Sequence, residues 1–217
     1  MRFLVTAGPT REPIDPIRYL SNRSSGRMGY AIAEAALESN HEVVLISGSV
    51  HLDPPPGVKL IPVSTSDEML EAVNRHAIDC DVLVMAAAVA DYKPAKVSPQ
   101  KIKKRDANLS LDLVPTRDIL ATIAKHERHF LVVGFAAETD NVETNAAKKL
   151  REKNLDIVVA NDVSNPDLGM ETADNEVTIL FRDGQKKKIS RAPKKNIARQ
   201  LVKIFANARE KCLTKKM

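Results

Sequence analysis

The sequence contains no tryptophan, and aromatic residues make up only 4% of its 217 positions. Its core must therefore be aliphatic and alanine-rich. A module that stacks nucleic-acid bases needs aromatics interleaved with basic residues, and the three tyrosines and five phenylalanines spread along this chain do not supply them. Cysteine is equally sparse. Cys80 and Cys212 are too few and too far apart for a disulfide framework, which fits a reduced, cytoplasmic setting. No apolar run approaches the ~20 residues that span a bilayer, so no membrane segment is expected. The N-terminus reads as a strand, not as a signal peptide. No metal-ligand spacing and no Ser–His–Asp or Cys–His set is apparent. His41, His51, His76, His126 and His129 occupy ordinary helix or loop contexts.

What is present is an alternation of strand and helix patterns. Short, nearly continuous apolar runs at 3–6, 42–47, 59–63, 81–88, 130–137 and 156–160 read as strands buried on both faces of a parallel sheet. Helical periodicity fills 29–39, 67–76, 118–126 and 141–153, and Ser66, with Thr65 behind it, is placed to cap the second of these. The pattern predicts an α/β fold: a doubly wound, mainly parallel Rossmann-like sheet with helices on both faces, forming one domain over 1–217. Ligands then belong beyond the carboxyl ends of the strands. Two segments interrupt the alternation. Residues 92–116 hold three prolines, a Lys101/Lys103/Lys104 cluster followed by Arg105, and an alternating run at 108–114 that reads as a strand. Residues 165–191 carry Asp183-Gly184 between two alternating runs, a hairpin signal. The chain closes with an amphipathic helix that aligns Ile197, Leu201, Ile204, Phe205 and Ala208 on one face.

The net charge of +5 suits an anionic ligand or a solvated basic surface equally well. Local chemistry is more informative. The first strand runs into Gly8, and a turn-rich stretch of about fifteen residues separates Gly8 from Ser24-Ser25-Gly26 at the start of the first helix. Strand–helix connections are commonly about 2–6 residues long, and long ordered loops are usually functional. Glycines and unpaired backbone N–H groups at a helix start make a phosphate cradle. Arg11, Arg18, Arg23 and Arg27 all lie on this loop, and guanidinium forks match phosphate or carboxylate oxygens. Asn22 is suited to grip an amide or a mixed anhydride, or else to form a simple Asx turn.

A dinucleotide-binding reading fails on geometry. The Rossmann glycine turn is tight and follows the strand directly, and the second strand ends Ile46-Ser47-Gly48 with no acid to hold a ribose diol. Tyr92 and Lys96 match the Tyr-x-x-x-Lys spacing of short-chain dehydrogenases, but Pro94 breaks the helical turn they would share. An NAD(P)-dependent oxidoreductase therefore remains only as the alternative. Ala86-Ala87-Ala88-Val89-Ala90-Asp91 ends the most buried strand, where small side chains leave room for a ligand and Asp91 emerges at the ligand edge. The Lys101 cluster reads as a solvated surface or as a flap that closes over a polyphosphate. Lys149 and Lys153 share a helical face. A polyphosphate site with many cations and no nucleophile of its own suits a ligase, in which the substrate's carboxylate attacks a nucleoside triphosphate.

The stretches TAGPTREPIDPIRYLSNRSSGRMG, AAAVADYKP, KIKK, VVGFAAET and AND (160–162) together resemble phosphopantothenate–cysteine ligase, in bacteria usually the C-terminal half of a bifunctional coenzyme A biosynthesis protein. The resemblance covers nearly the whole chain. It implies a cytoplasmic, homodimeric enzyme that joins 4′-phosphopantothenate to L-cysteine with CTP through an acyl-cytidylate, with Mg2+ carried mainly by the triphosphate and no flavin in this chain. A flavin-dependent decarboxylase domain is the expected companion in a full-length protein. By motif, Asn22 would hold the acyl-cytidylate, Arg18 would reach a phosphopantothenate phosphate bound by the partner subunit, and Ala87 and Ala88 would line the pantothenate arm. Gly8, Ser24, Ser25, Gly26 and Met28 would lie near the triphosphate. Asp91, Lys149 and Lys153 would bind nucleotide, Lys101 would be the activating flap lysine, and Arg117, Asp118, Ile119, Leu120 and Phe135 would form the base pocket. This chain reads Thr116-Arg117-Asp118-Ile119 where the family often has Asn-Pro-Asp-Ile. The insertions at 92–116 and 165–191 would serve as flap and dimer-forming strands.

Overall fold

A computed structural model describes residues 1–104, 108–125, 127–164 and 172–214. The first half of the chain forms β1 (Arg2–Ala7), β2 (Arg11–Pro13), β3 (Tyr19–Ser21), α1 (Arg27–Glu38), β4 (Glu42–Ser47), β5 (Lys59–Pro62) and α2 (Ser66–Ala77). Next come β6 (Val82–Met85), β7 (Tyr92–Pro94), β8 (Leu113–Pro115), α3 (Ile119–Ile123) and β9 (Leu131–Glu138). The last quarter supplies α4 (Val142–Glu152), β10 (Ile157–Asp162), β11 (Asp174–Phe181), β12 (Lys186–Pro193) and α5 (Lys194–Thr214). Eight strands make one sheet in the order β12-β11-β10-β9-β6-β1-β4-β5. The six strands from β10 to β5 run parallel, while β11 and β12 pair antiparallel at one end.

Alternate residues of the apolar runs feed two cores, as the period-2 geometry of a strand requires. Phe3, Val5, Leu45, Val84, Val133 and Val159 face α1 and α5. Leu4, Val44, Ile46, Leu83, Val132 and Val158 face α2, α3 and α4. The doubly wound expectation holds. The hairpin turn at Asp183-Gly184 also forms, with Gly184 at φ +86°. Its strands continue the main sheet rather than standing off as a separate extension.

Three local expectations change. Thr65, not Ser66, caps α2: its Oγ1 accepts from Glu68 N–H at 3.2 Å while the Glu68 carboxylate accepts from Thr65 N–H, a capping box. The alternating run 108–114 yields only β8, paired with β7, because Leu109 and Leu111 are exposed and find no layer to pack on. The helix expected at 118–126 is the short α3, and His126 lies outside the described residues. Arg105 and residues 165–171 of the second insertion lie outside them as well. The long first loop contains the two-stranded sheet β2–β3, which periodicity did not reveal. Tyr92 and Lys93 lie on strand β7, so no helical turn joins Tyr92 to Lys96.

Candidate active site

A cleft of about 780 Å3 opens beyond the carboxyl ends of the parallel strands. One wall is the start of α1. Gly26 takes a left-handed φ of +76° as N-cap and, being a glycine, makes no side-chain cap bond, and the first turn of the helix holds no acidic residue. Its N–H groups therefore face the cleft with the positive end of a twelve-residue helix. Ser24, Ser25, Gly26 and Met28 line this wall, together with Arg27 and Gly29. Gly8 does not. It packs beneath the cradle, where its own φ of +74° and a Gly26 Cβ position only 3.3 Å from the Gly8 Cα leave no room for a side chain at either residue.

The floor is the backbone of 86–90, threaded between the first two loops. Ala88 N–H donates to the Gly8 carbonyl at 3.0 Å, and Thr10 N–H donates to the Ala88 carbonyl at 3.1 Å. The fully buried Thr6 and Thr10 hydroxyls accept from Ala87 and Ala90 N–H at 3.2 and 3.0 Å. Asn22 Nδ2 donates to the Ala88 carbonyl at 3.1 Å, which holds its amide over the alanines. Asn22, Ala87, Ala88 and Asp91 all line the cleft, as expected from the sequence.

The opposite wall comes from α3, α4 and β9. Asp118 caps α3 through Ala121 N–H at 2.8 Å and pairs with Lys153 Nζ at 2.6 Å. Burial raises the Asp118 pKa, but these two partners outweigh it and hold the carboxyl below its usual value. Lys149 is held mostly out of solvent and donates to the Phe135 carbonyl at 2.6 Å, and burial lowers its pKa. Arg117 lines the cleft but spends its guanidinium on Asp67, at 3.0 and 3.2 Å, and Lys93 grips the same carboxylate. Ile119, Leu120, Phe135, Lys149 and Lys153 complete the set placed here from the sequence.

Besides Gly8, two expected residues lie elsewhere. Arg18 is absent from the cleft wall and pairs with Asp15. Lys101 is exposed on a loop outside the lining residues. The loop arginines are divided: Arg11 and Arg23 line an adjoining groove of about 390 Å3, with Arg11 stacked over Tyr19, and Arg27 lies between the two, lining both groove and cleft. Sequence reasoning missed Lys194, Asn175 and Glu138. Lys194 opens α5 and was part of a basic run, yet it is buried on the cleft wall, where burial and then the Arg27 charge lower its pKa. Asn175 and Asn161 line the same end.

Cys80 is buried away from the cleft, and burial pushes its thiol up to about 12, so it is no nucleophile. Among the described residues no group of three His, Cys, Asp or Glu side chains is placed to hold a metal ion. β4 ends without an acidic residue. The cleft can therefore position an anionic, phosphate-bearing ligand between a helix start and two lysines.

A family model, the DNA/pantothenate metabolism flavoprotein C-terminal domain, matches residues 1–208. The chain belongs to that family. Within the family, it is 44% identical over 204 residues to the coenzyme A biosynthesis bifunctional protein CoaBC of Bacillus subtilis, covering 94% of this chain and 50% of that protein. The Vibrio cholerae protein of the same name is 48% identical over 187 residues, covering 85% of this chain and 47% of that one. The crystal structure of the C-terminal domain of a CoaBC protein superposes with a TM-score of 0.80 at 44% identity, covering 93% of this chain and 92% of that domain. The chain thus spans about half the length of the curated relatives it matches. Among the described residues no helix is long and apolar enough to cross a membrane.

Proposed function

We propose that this chain is a ligase of coenzyme A biosynthesis that joins 4′-phosphopantothenate to L-cysteine, spending CTP and releasing CMP and pyrophosphate. The observation that carries this reading is the cleft itself. It sets a glycine-capped helix start against Lys149 and Lys153, and its described lining holds no cysteine or histidine to act as, or to activate, a nucleophile. Such a site favours chemistry in which the substrates supply the reacting groups and the protein supplies position and charge. The 4′-phosphopantothenate carboxylate attacks the α-phosphorus of CTP, the bond to the β-phosphate breaks, and pyrophosphate leaves. The cysteine amine then attacks the acyl carbon of the acyl-cytidylate, CMP leaves, and the amine proton passes to solvent.

In this reading the N–H groups around residues 24–28 hold phosphate oxygens. Lys149 and Lys153 offset the triphosphate charge, with Asp118 orienting Lys153. Asn22, steadied by Ala88, holds the acyl-cytidylate carbonyl. Ala87 and Ala88 leave space for the pantothenate arm. Lys101 closes over the triphosphate, and Arg18 meets the substrate phosphate held by the other subunit of a homodimer. Mg2+ would travel with the triphosphate, which brings its own oxygen ligands. Because the Bacillus subtilis and Vibrio cholerae relatives are named as bifunctional proteins and this chain spans about half of each, a flavin-dependent decarboxylase is the partner domain we place beside this one.

Pyrophosphate release without cysteine tests this directly. It should require both 4′-phosphopantothenate and CTP, and ATP should substitute poorly. Lys101→Gln should abolish it while leaving the fold intact. Asn22→Asp should impair handling of the intermediate. Pyrophosphate released equally by Lys101→Gln would sink the flap assignment.

A further inference from the structure

Arg18 and the Lys101 loop share one feature that the cleft does not explain: both are fastened to Asp15. Asp15 sits at the tip of the β2–β3 hairpin and is almost wholly buried. Its Oδ1 accepts from Ile17 and Arg18 N–H, both at 2.8 Å, which closes an Asx-type turn. Its Oδ2 accepts from Arg18 Nε at 3.0 Å, Arg18 Nη2 at 2.5 Å and Ile102 N–H at 3.1 Å. Arg18 Nη2 also donates to the Ile102 carbonyl at 2.6 Å, so Ile102 is held at both its N–H and its carbonyl. A second tie lies four residues earlier, where Ser98 N–H donates to the Ile14 carbonyl at 2.9 Å.

We propose that Asp15 is the positioning residue of the Lys101 loop: it clasps Ile102, and through Ile102 it sets where the lysine on either side can reach. This rests on the ligase reading given above. Lys101 and Lys103 flank the clasped residue, and successive α carbons are about 3.8 Å apart. The loop 95–104 has no strand or helix of its own, and Lys101 is exposed. Without the clasp, a long, rotamer-rich side chain on an irregular loop would sample many positions, and misplacing a reacting or charge-stabilising group by about 1 Å can cost roughly 100-fold in rate. The clasp is charged: the Arg18 guanidinium and the three backbone N–H groups hold the Asp15 carboxyl far below its usual range, so it stays ionised wherever the enzyme works. Arg18 completes the clasp, so a phosphate that engages its free edge acts on the same network that holds Ile102.

Asp15→Asn tests the clasp selectively. The amide oxygen can keep the Oδ1 bonds of the turn, while the amide NH2 presents a donor to the Arg18 and Ile102 donors. Hydrogen exchange across 98–104 should then quicken by on the order of 10-fold. Cysteine-independent pyrophosphate release, assayed well below the lowered melting temperature that loss of this buried ion pair brings, should fall by about 10- to 100-fold in kcat, with KM for CTP nearly unchanged. Ser98→Pro removes the outer tie without touching Asp15 and should raise exchange in the same loop with a smaller fall in kcat. Unchanged exchange and turnover in Asp15→Asn would overturn the proposal. So would a loss of activity that appears in KM for CTP instead of kcat, or one that vanishes once turnover is referred to the folded fraction. If the wild-type protein releases no pyrophosphate with CTP and 4′-phosphopantothenate, the ligase reading fails, while the exchange experiment still decides whether Asp15 holds the loop.

Discussion

Gly29→Ala is the substitution for which packing and propensity point in opposite directions. Gly29 is the third residue of α1 and lies flat on β1. A methyl group there would stand 2.5 Å from Ala7 Cβ and 3.0 Å from both Ala7 Cα and the Thr6 carbonyl oxygen. Carbon atoms pack at about 3.5–4.0 Å, so the helix would have to retreat by roughly 1 Å. Helix propensity alone favours alanine by up to about 1 kcal/mol. Overpacking a well-filled core costs about 1–3 kcal/mol, and the upper part of that range applies because the obstructing atoms are backbone and a buried alanine that cannot rotate away. The net expectation is a destabilisation of about 1–2 kcal/mol. The displaced turn is also the one that forms the cradle, so CTP affinity should fall by on the order of 10-fold. Urea unfolding gives the first quantity and titration calorimetry the second. A Gly29→Ala protein that is more stable by about 1 kcal/mol, as propensity alone requires, and that binds CTP like the wild type would refute the close-packing argument.

Asp118→Ala removes the α3 cap and the partner of Lys153, and should cost about 1 kcal/mol of stability along with weaker CTP binding; chemical denaturation and calorimetry on one sample read both. Lys149 has its pKa lowered by burial, so its charge is lost at lower pH than that of an ordinary lysine. CTP affinity should therefore decline on the alkaline side before pH 10.5 is reached, and Lys149→Met should bind more weakly with a smaller decline, the remainder belonging to Lys194. His41 stacks on Phe3 with centroids 5.0 Å apart, and burial lowers its pKa below 6.5. The unfolded chain takes up that proton first, so stability should fall as pH drops below 6.5 and level off below the folded-state value. In His41→Gln that acid-side loss should shrink.

The sequence showed most of the sheet because each strand is short, apolar and buried on both sides, which leaves little choice of structure. It also exposed the cradle, since a glycine at a helix start and a loop of unusual length are both visible in one dimension. The β2–β3 hairpin was hidden for the opposite reason. Its strands are three residues each, and it is held by the carboxylate of Asp15 and by Glu12, which is buried and accepts from Ser66 N–H at 2.8 Å. Periodicity carries no trace of such polar ties. Alternation at 108–114 misled because alternation makes a strand only where one face has something to cover. Lys194 was unreadable for a related reason: a lysine in a basic run is ordinarily solvated, and only the convergence of α1, β11 and α5 buries this one. Lys101 and Arg18 were singled out by motif, yet the chain holds them on the hairpin side of the molecule and not on the cleft wall.

The most direct measurement is the stoichiometry of one complete reaction with 4′-phosphopantothenate, L-cysteine and CTP. Acyl-cytidylate chemistry requires one CMP and one pyrophosphate for every 4′-phosphopantothenoylcysteine formed. Formation of CDP and inorganic phosphate instead, or no amide product at all, would contradict it.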